Sequence, residues 1–212
     1  FFFQPEDAIR DSVASRGLGD VYKRQFVFHP MNAYEEGNKI ILHVCRQDKA
    51  MVGGMDQIYG GDETTGKLWK WTIDLSTQTC KEEQIDDKPC DFARVDDRKI
   101  GLKADIGYAM ELNNKAETLT FGNHLFKYNL DKGTREDHFL GDHTVGGEPL
   151  FAPNPNSNDE KDGYVMSIVH DNERNKSKLI VIDADDFSNK PVAEILLPQR
   201  VPFGAHGSWL EN

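Results

Sequence analysis

The sequence has only three cysteines, fewer basic than acidic residues and no apolar run long enough to cross a membrane. Cys45, Cys80 and Cys90 are odd in number, lie far apart and lack a C-x-x-C spacing, which argues against a disulfide framework and a cysteine zinc site. A transmembrane helix needs about 20 consecutive apolar residues. We therefore expect no membrane helix and a reducing compartment, with the cytoplasm as the default location.

The charge balance is strongly acidic. Asp and Glu number 36 against 25 Lys and Arg, which gives a formal net charge of -11. Such an excess repels phosphate backbones, and no local basic stripe interrupts it, so we expect no nucleic-acid partner. An aromatic content of 10% is too high for a disordered chain.

Residues 1–25 do not read as part of a folded domain. They show neither strand nor helix periodicity and lack the features of a signal peptide. The stretch SRGLGDVYKRQ resembles a translated sequencing-adaptor artefact, so we exclude residues 1–25 and expect them to be disordered; a genuine mobile arm is the alternative. Protein-like sequence begins at Phe26 within a strand-like motif. We therefore expect residues 26–212 to be the C-terminal part of a longer domain.

Short β-rich runs separated by turn formers fill the rest of the chain. Three of them resemble copies of one strand, LWKW, LFKY and LIVI, with leading leucines Leu68, Leu125 and Leu179, which are 57 and 54 residues apart. A repeat of this length, holding about four strands, is typical of a β-propeller blade. The sequence therefore predicts an all-β fold of about three blades. Propellers close with roughly four to eight blades, so this arc is open.

Two of the seven histidines stand in contexts that favour metal binding. His29 lies between an apolar run and a polar turn, and His206 lies between Gly204 and Gly207, which let a metal or substrate approach the backbone. The alternative for both is an ordinary loop histidine near one end of a propeller. We assign no chemistry to the other five, which are His43, His124, His138, His143 and His170.

Ordered motifs along residues 26–212 resemble one family. The segments are FHPMNAYEEG, CDFARVDDRKIGLKADIGYAMEL, GGEPLFAPNP, DGYVMSIVHD, LIVIDADDF and LPQRVPFGAHGSWL. They are similar, in this order, to the C-terminal part of the carotenoid cleavage oxygenases. That family includes carotenoid and apocarotenoid dioxygenases, lignostilbene dioxygenases and the vertebrate retinoid isomerase. Several ordered signatures are far more specific than one short pattern.

The resemblance implies a seven-bladed propeller with Fe(II) on its axis, held by four histidines. His29 and His206 match the third and fourth ligands, and Glu148 matches one of three glutamates that bind the ligand imidazoles from outside. Asp91 stands where another such glutamate is usual, and Ala93 where proline follows it. Asp is one methylene shorter than Glu, so we expect its hydrogen bond to an imidazole to be lost or bridged by water. The alternative for Glu148 and Asp91 is an ordinary surface acid. The remaining ligands would precede Phe26.

The implied activity is cleavage of a conjugated C=C bond by O2 to give two carbonyl products. The implied substrate is an apolar polyene, such as a carotenoid or apocarotenoid, or a stilbene-like molecule; peripheral membrane contact would fit such lipid-soluble substrates. Two alternatives remain open, a retinoid isomerase or isomerohydrolase of the same family and a non-catalytic propeller scaffold. Residues 26–212 alone hold two of four implied ligands, so we expect them to be inactive by themselves.

Overall fold

The computed structural model describes residues 25–49, 64–113, 120–202, 204 and 206–210, and these residues are almost entirely β-structure. Among the described residues, no helix reaches the length and hydropathy of a membrane span. Residues 1–24 lie outside the described residues, so the interpretation of residues 1–25 stays a prediction. The strands are β1 (Phe26–Glu36), β2 (Lys39–Gln47), β3 (Lys67–Asp74), β4 (Thr79–Val95), β5 (Ile106–Asn113), β6 (Thr120–Asn129), β7 (Thr134–Phe139), β8 (Thr144–Val145), β9 (Leu150–Pro153), β10 (Gly163–Asp171), β11 (Lys176–Asp183) and β12 (Ala193–Leu196).

All pairings are antiparallel, and the strands group into three successive blades. Blade 1 is β1, β2, β3 and the first part of β4, where Asp74 pairs with Thr79 and Lys67 with Pro89. Blade 2 begins with the second part of the same strand, because Cys90–Val95 pairs with β5, and continues through β6 and β7. Strand β4 is therefore the outer strand of one blade and the inner strand of the next.

Blade 3 has the same order. Its inner position is filled by the short strands β8 and β9, which both pair with β10, and β11 and β12 complete the sheet. The three strands with the repeated leucine motif are β3, β6 and β11, the third strand of each blade. The prediction of about three blades from the 57- and 54-residue spacing is thereby confirmed.

Alternating side chains pack the blades against one another. Blades 1 and 2 share one core, and blades 2 and 3 share a second core, so blade 2 is covered on both faces. The blades approach closely at Gly107, where a Cβ would lie 2.3 Å from Sδ of Met31. Fully burying a large apolar side chain contributes roughly 1.5–3 kcal/mol, so these two cores fix the positions of the inner strands. The first core includes Met31, Leu68, Phe126 and Tyr128, and the second includes Tyr108, Leu125, Phe151, Ile180 and Phe187.

Candidate metal centre

Four residues selected from the sequence meet where the inner strands converge. His29 lies on β1 and Asp91 on β4, while Glu148 stands two residues before β9 and His206 follows β12. Each blade therefore contributes one of the first three residues, and the chain segment after blade 3 contributes the fourth. The rings of His29 and His206 are edge to face, with centroids 5.0 Å apart. The structure thus brings all four residues into one site.

His29 is held directly by Asp91. Nδ1 of His29 lies 2.9 Å from Oδ1 of Asp91, whose side chain is almost wholly buried. The hydrogen bond to Asp91 raises the pKa of His29, and its electrostatic attraction adds to this rise, whereas burial acts in the opposite direction. The expectation that the shorter aspartate loses this contact or makes it through water is wrong. The contact is direct because β4 of blade 2 lies beside β1 of blade 1.

His206 has a parallel arrangement with Glu148. Nδ1 of His206 lies 3.0 Å from Oε1 of Glu148, and the backbone N–H of Gly207 donates to Oε2 at 2.6 Å. One carboxylate therefore holds both the ring and the next peptide unit. A carboxylate that accepts the Nδ1 proton fixes the tautomer in which Nε2 carries the lone pair. In both histidines, Nε2 is then the atom left for a metal.

The donor set fits a divalent transition metal. Metal–imidazole bonds are about 2.0–2.1 Å long, so two rings on one ion stand only a few ångströms apart, as His29 and His206 do. Carboxylates on the opposite ring nitrogens are the usual partners of metal-binding imidazoles. The described part of the chain contains no cluster of three or more metal-binding side chains. His29 and His206 therefore form an incomplete ligand set by themselves.

Phe92 packs beside both histidines, although the sequence pattern did not indicate it. The pairing of β4 with β5 shifts register between Asp91 and Arg94, and Phe92 lies in this bulge with a φ of 53°. Bulges re-aim side chains, and a left-handed φ is costly for a residue with a Cβ. The Phe92 ring lies 4.7 Å from that of His29 and 5.8 Å from that of His206, between centroids.

Two cavities meet at the site. An apolar cavity of about 390 Å³ lies between blades 2 and 3, and a more polar cavity of about 530 Å³ lies along the inner strands of blades 1 and 2. Phe92, Glu148 and His206 line both cavities, so the candidate metal centre stands at their junction. The apolar cavity is further lined by Met110, Phe121, Leu150, Leu179 and Trp209.

Three of the other histidines have structural surroundings away from the site, whereas the buried His170 lines the apolar cavity. His138 is buried, with Nδ1 2.8 Å from the carbonyl oxygen of Phe187, and burial lowers its pKa. His124 pairs with Glu111 at 2.9 Å on blade 2, and His143 pairs with an exposed glutamate. None of these three lines either cavity at the candidate metal centre.

Arg94 is a second residue that the sequence analysis did not select. It lies on β4 three residues after Asp91 and contacts both Glu148 and Gly207. The signal was present in the motif CDFARVD, which carries Asp91, Phe92 and Arg94 together. Only the bulge, which the sequence pattern does not reveal, directs all three side chains to this junction.

Several known proteins are similar to this chain in sequence and fold. The profile described as retinal pigment epithelial membrane protein matches residues 2–211. The chain is 26% identical to apocarotenoid-15,15'-oxygenase of Synechocystis, covering 99% of the chain and 44% of that protein. It is 31% identical to carotenoid 9,10(9',10')-cleavage dioxygenase 1 of Pisum sativum, covering 85% of the chain and 36% of that protein. It thus spans less than half the length of these relatives.

A solved structure agrees over most of the chain. Cobalt-substituted apocarotenoid oxygenase of Synechocystis superimposes with a TM-score of 0.79 at 27% identity, covering 88% of this chain and 40% of that one. Together with the three blades and the ordered motifs of residues 26–212, this match confirms a partial β-propeller. The chain belongs to the family of the retinal pigment epithelial membrane protein and the carotenoid cleavage oxygenases.

Proposed function

We propose that the protein containing this chain is an Fe(II)-dependent dioxygenase that cleaves a conjugated C=C bond of a carotenoid, apocarotenoid or stilbene-like substrate. The observation that supports it most is the pair of carboxylate-bound imidazoles, His29 with Asp91 and His206 with Glu148, beside an apolar cavity. Relatives are named as enzymes on such substrates, including a lignostilbene dioxygenase of Sphingomonas paucimobilis, 27% identical over 205 residues.

The residues of this chain prepare the site for that chemistry. Asp91 and Glu148 accept the Nδ1 protons, so His29 and His206 present neutral Nε2 atoms, which bind a divalent metal without cancelling its charge. Bound iron supplies the centre at which O2 is activated. Cleavage consumes one C=C bond and one O2, and each resulting carbonyl carries one oxygen atom.

The apolar cavity supplies binding for a hydrophobic substrate. Its walls of Met110, Phe121, Leu150 and Leu179 exclude water from a conjugated chain, and Phe92 lies where this cavity meets the second one. A substrate with an extended π-system is favoured over an aliphatic lipid, because the aromatic rings of Phe92 and Phe121 face the cavity and lie 5.7 Å apart.

The test uses the full-length protein loaded with Fe(II) and given apocarotenoid or stilbene substrates under ¹⁸O2. The proposal expects two carbonyl products, each labelled with ¹⁸O, and loss of activity in His29→Ala and His206→Ala. His124→Ala removes another histidine bonded to a carboxylate, outside the site, and keeps the activity.

Other outcomes would favour the other functions. An isomerised or hydrolysed retinoid ester without ¹⁸O from O2 would identify an isomerohydrolase. A folded full-length protein that does not bind iron would support a non-catalytic scaffold and overturn the proposal.

A further inference from the structure

Arg94 connects the chain segments that carry the candidate metal centre. Nη1 donates to the carbonyl oxygen of Gly207 at 2.5 Å and lies 3.5 Å from Oε2 of Glu148. Nη2 donates to both carboxylate oxygens of Asp97, at 2.9 and 3.2 Å. The guanidinium therefore reaches from blade 2 to the start of blade 3 and to the segment after it.

These contacts form a closed network of hydrogen bonds and an ion pair around His206. Glu148 binds the His206 ring through Oε1 and the Gly207 N–H through Oε2, while Arg94 binds the Gly207 carbonyl and attracts the same Oε2. The Gly207 peptide is thus held from both sides. A guanidinium suits this role because its planar fork keeps several N–H donors in fixed directions.

The position of the His206 ring depends on this network, whereas His29 is held by its strand. His29 lies within β1, whose backbone pairs with β2, whereas residues 206–210 form no strand. Within the described residues, the hydrogen bonds of His206 and Gly207 go to Glu148 and Arg94. The His206 side chain is also more exposed than that of His29, 55% against 23%, so packing restrains it less.

We propose that Arg94 is a positioning residue for the metal centre, which acts by holding Glu148 and Gly207 so that His206 keeps its ring orientation. This inference rests on the proposed function, because it takes His206 to be a metal ligand. Arg94 itself binds neither the metal nor the substrate. Its loss would leave Glu148 without its cationic partner and the Gly207 carbonyl without its donor, and His206 would then sample other orientations.

The experiment measures the Co(II) dissociation constant of the full-length protein by visible absorption. Variants are Arg94→Met, Glu148→Gln and their double mutant. Arg94→Met is expected to weaken Co(II) binding about 10-fold, as removal of partners around metal ligands commonly does. The Co(II) dissociation constant of the double mutant is expected to lie within about threefold of that of Glu148→Gln alone, because both residues act on His206 through one network.

Arg135→Met is the matched control. Arg135 is as exposed as Arg94, at 18%, and also pairs with aspartates, but on the outer side of blade 2. We expect its Co(II) affinity to stay within twofold of wild type. If Arg94→Met does not fold, Asp97→Asn tests the same network by releasing Nη2 of Arg94, and the Co(II) affinity is expected to fall about threefold.

The outcomes separate this inference from the proposed function. Wild-type protein that does not bind Co(II), or His206→Ala with unchanged affinity, would overturn the proposed function. Wild-type binding that weakens in His206→Ala but stays within twofold in Arg94→Met and in Asp97→Asn would overturn the role of Arg94 alone. Independent, multiplying effects of Arg94→Met and Glu148→Gln would do the same.

Discussion

Nδ1 of His29 and Oδ1 of Asp91 lie 2.9 Å apart although the residues are 62 positions apart and belong to different blades. The contact places a buried carboxylate behind one imidazole of the candidate metal centre. Asp91 thus performs at this site what Glu148 performs for His206, with a side chain one methylene shorter.

The His29–Asp91 contact predicts a metal-binding defect. Asp91→Asn weakens the hydrogen bond and removes the negative charge through which Asp91 raises the pKa of His29. The Nε2 atom of His29 then becomes a weaker donor to a metal. We expect the Fe(II) affinity of the full-length protein to fall roughly 10–100-fold. Glu111→Gln is the control, because Glu111 binds His124 at the same 2.9 Å distance outside the site. Equal affinities in the two variants would contradict the assignment.

His43 predicts loss of stability in acid. Its ring is buried with neither nitrogen hydrogen-bonded, and burial, with Lys70 nearby, lowers its pKa to about 4. The folded pKa is below the unfolded value, so protonation favours unfolding. Above pH 6.5 the ring is neutral in both states and does not oppose folding. As the pH drops from 6.5 towards 4, the unfolded chain takes up the proton first, and the free energy of unfolding falls by roughly 3 kcal/mol.

Thermal unfolding at pH 7 and pH 5 tests this dependence. His43→Met is expected to reduce the difference in melting temperature between the two pH values. His143→Gln changes an exposed histidine and is expected to leave that difference as in wild type. An unchanged difference in His43→Met would exclude His43 as its cause.

Gln78 predicts a stabilising substitution. It ends the turn between β3 and β4 with a φ of 55°, a conformation that disfavours side chains with a Cβ. Gln78→Gly is expected to raise the free energy of unfolding by about 0.5–1 kcal/mol, the strain relieved minus the entropy cost of glycine. Asn175→Gly, at φ 49°, is the comparison and should gain less, since asparagine tolerates this region. A lower melting temperature in Gln78→Gly would refute the prediction.

The cysteines predict selective alkylation. The fully buried Sγ atoms of Cys45 and Cys90 lie 3.9 Å apart and share a hydrogen bond without a disulfide. This hydrogen bond, together with burial, raises the pKa of the Cys45 thiol. Cys80 is half-buried. Peptide mapping after iodoacetamide treatment should show Cys80 modified first, and the other two only after unfolding. Modification of Cys45 in the native protein at the rate of Cys80 would show that the blade interface opens.

Residues 26–212 alone are predicted to lack oxygenase activity. They supply only two of the four implied imidazole ligands. Blade 3 also leaves apolar side chains exposed, which favours association; these are Tyr164, Ile168, Ile195 and Leu196. Size-exclusion chromatography, iron analysis and an activity assay on this segment test the prediction. Soluble, monomeric and iron-loaded material with activity would refute it.

The repeat of the third strands was readable from the sequence because each apolar run begins with a leucine. Leu68 and Leu125 are fully buried in cores between blades, and Leu179 is partly buried and lines the apolar cavity. The dual role of β4 was not readable, since no turn separates the part of the strand that pairs with β3 from the part that pairs with β5. The bulge at Phe92 was equally hidden, because it depends on the register with β5 rather than on local preference. Asp91 was expected to lose its direct contact because its side chain is shorter than that of glutamate, and Arg94 was missed, since the bulge brings both towards the site.

The pairing of Pro89 with β3 fixes how far Asp91 reaches towards the metal centre. Asp91 follows Pro89 by only two residues, whereas β4 holds three extra residues in a register shift between Gln84 and Pro89. A strand advances about 3.3 Å per residue, so deletion of Cys90 would draw Asp91 by that distance out of reach of His29 and also reverse its facing. A change of length before Pro89 is instead absorbed where the register already shifts, so the outer part of β4 tolerates insertions that the two residues before Asp91 do not.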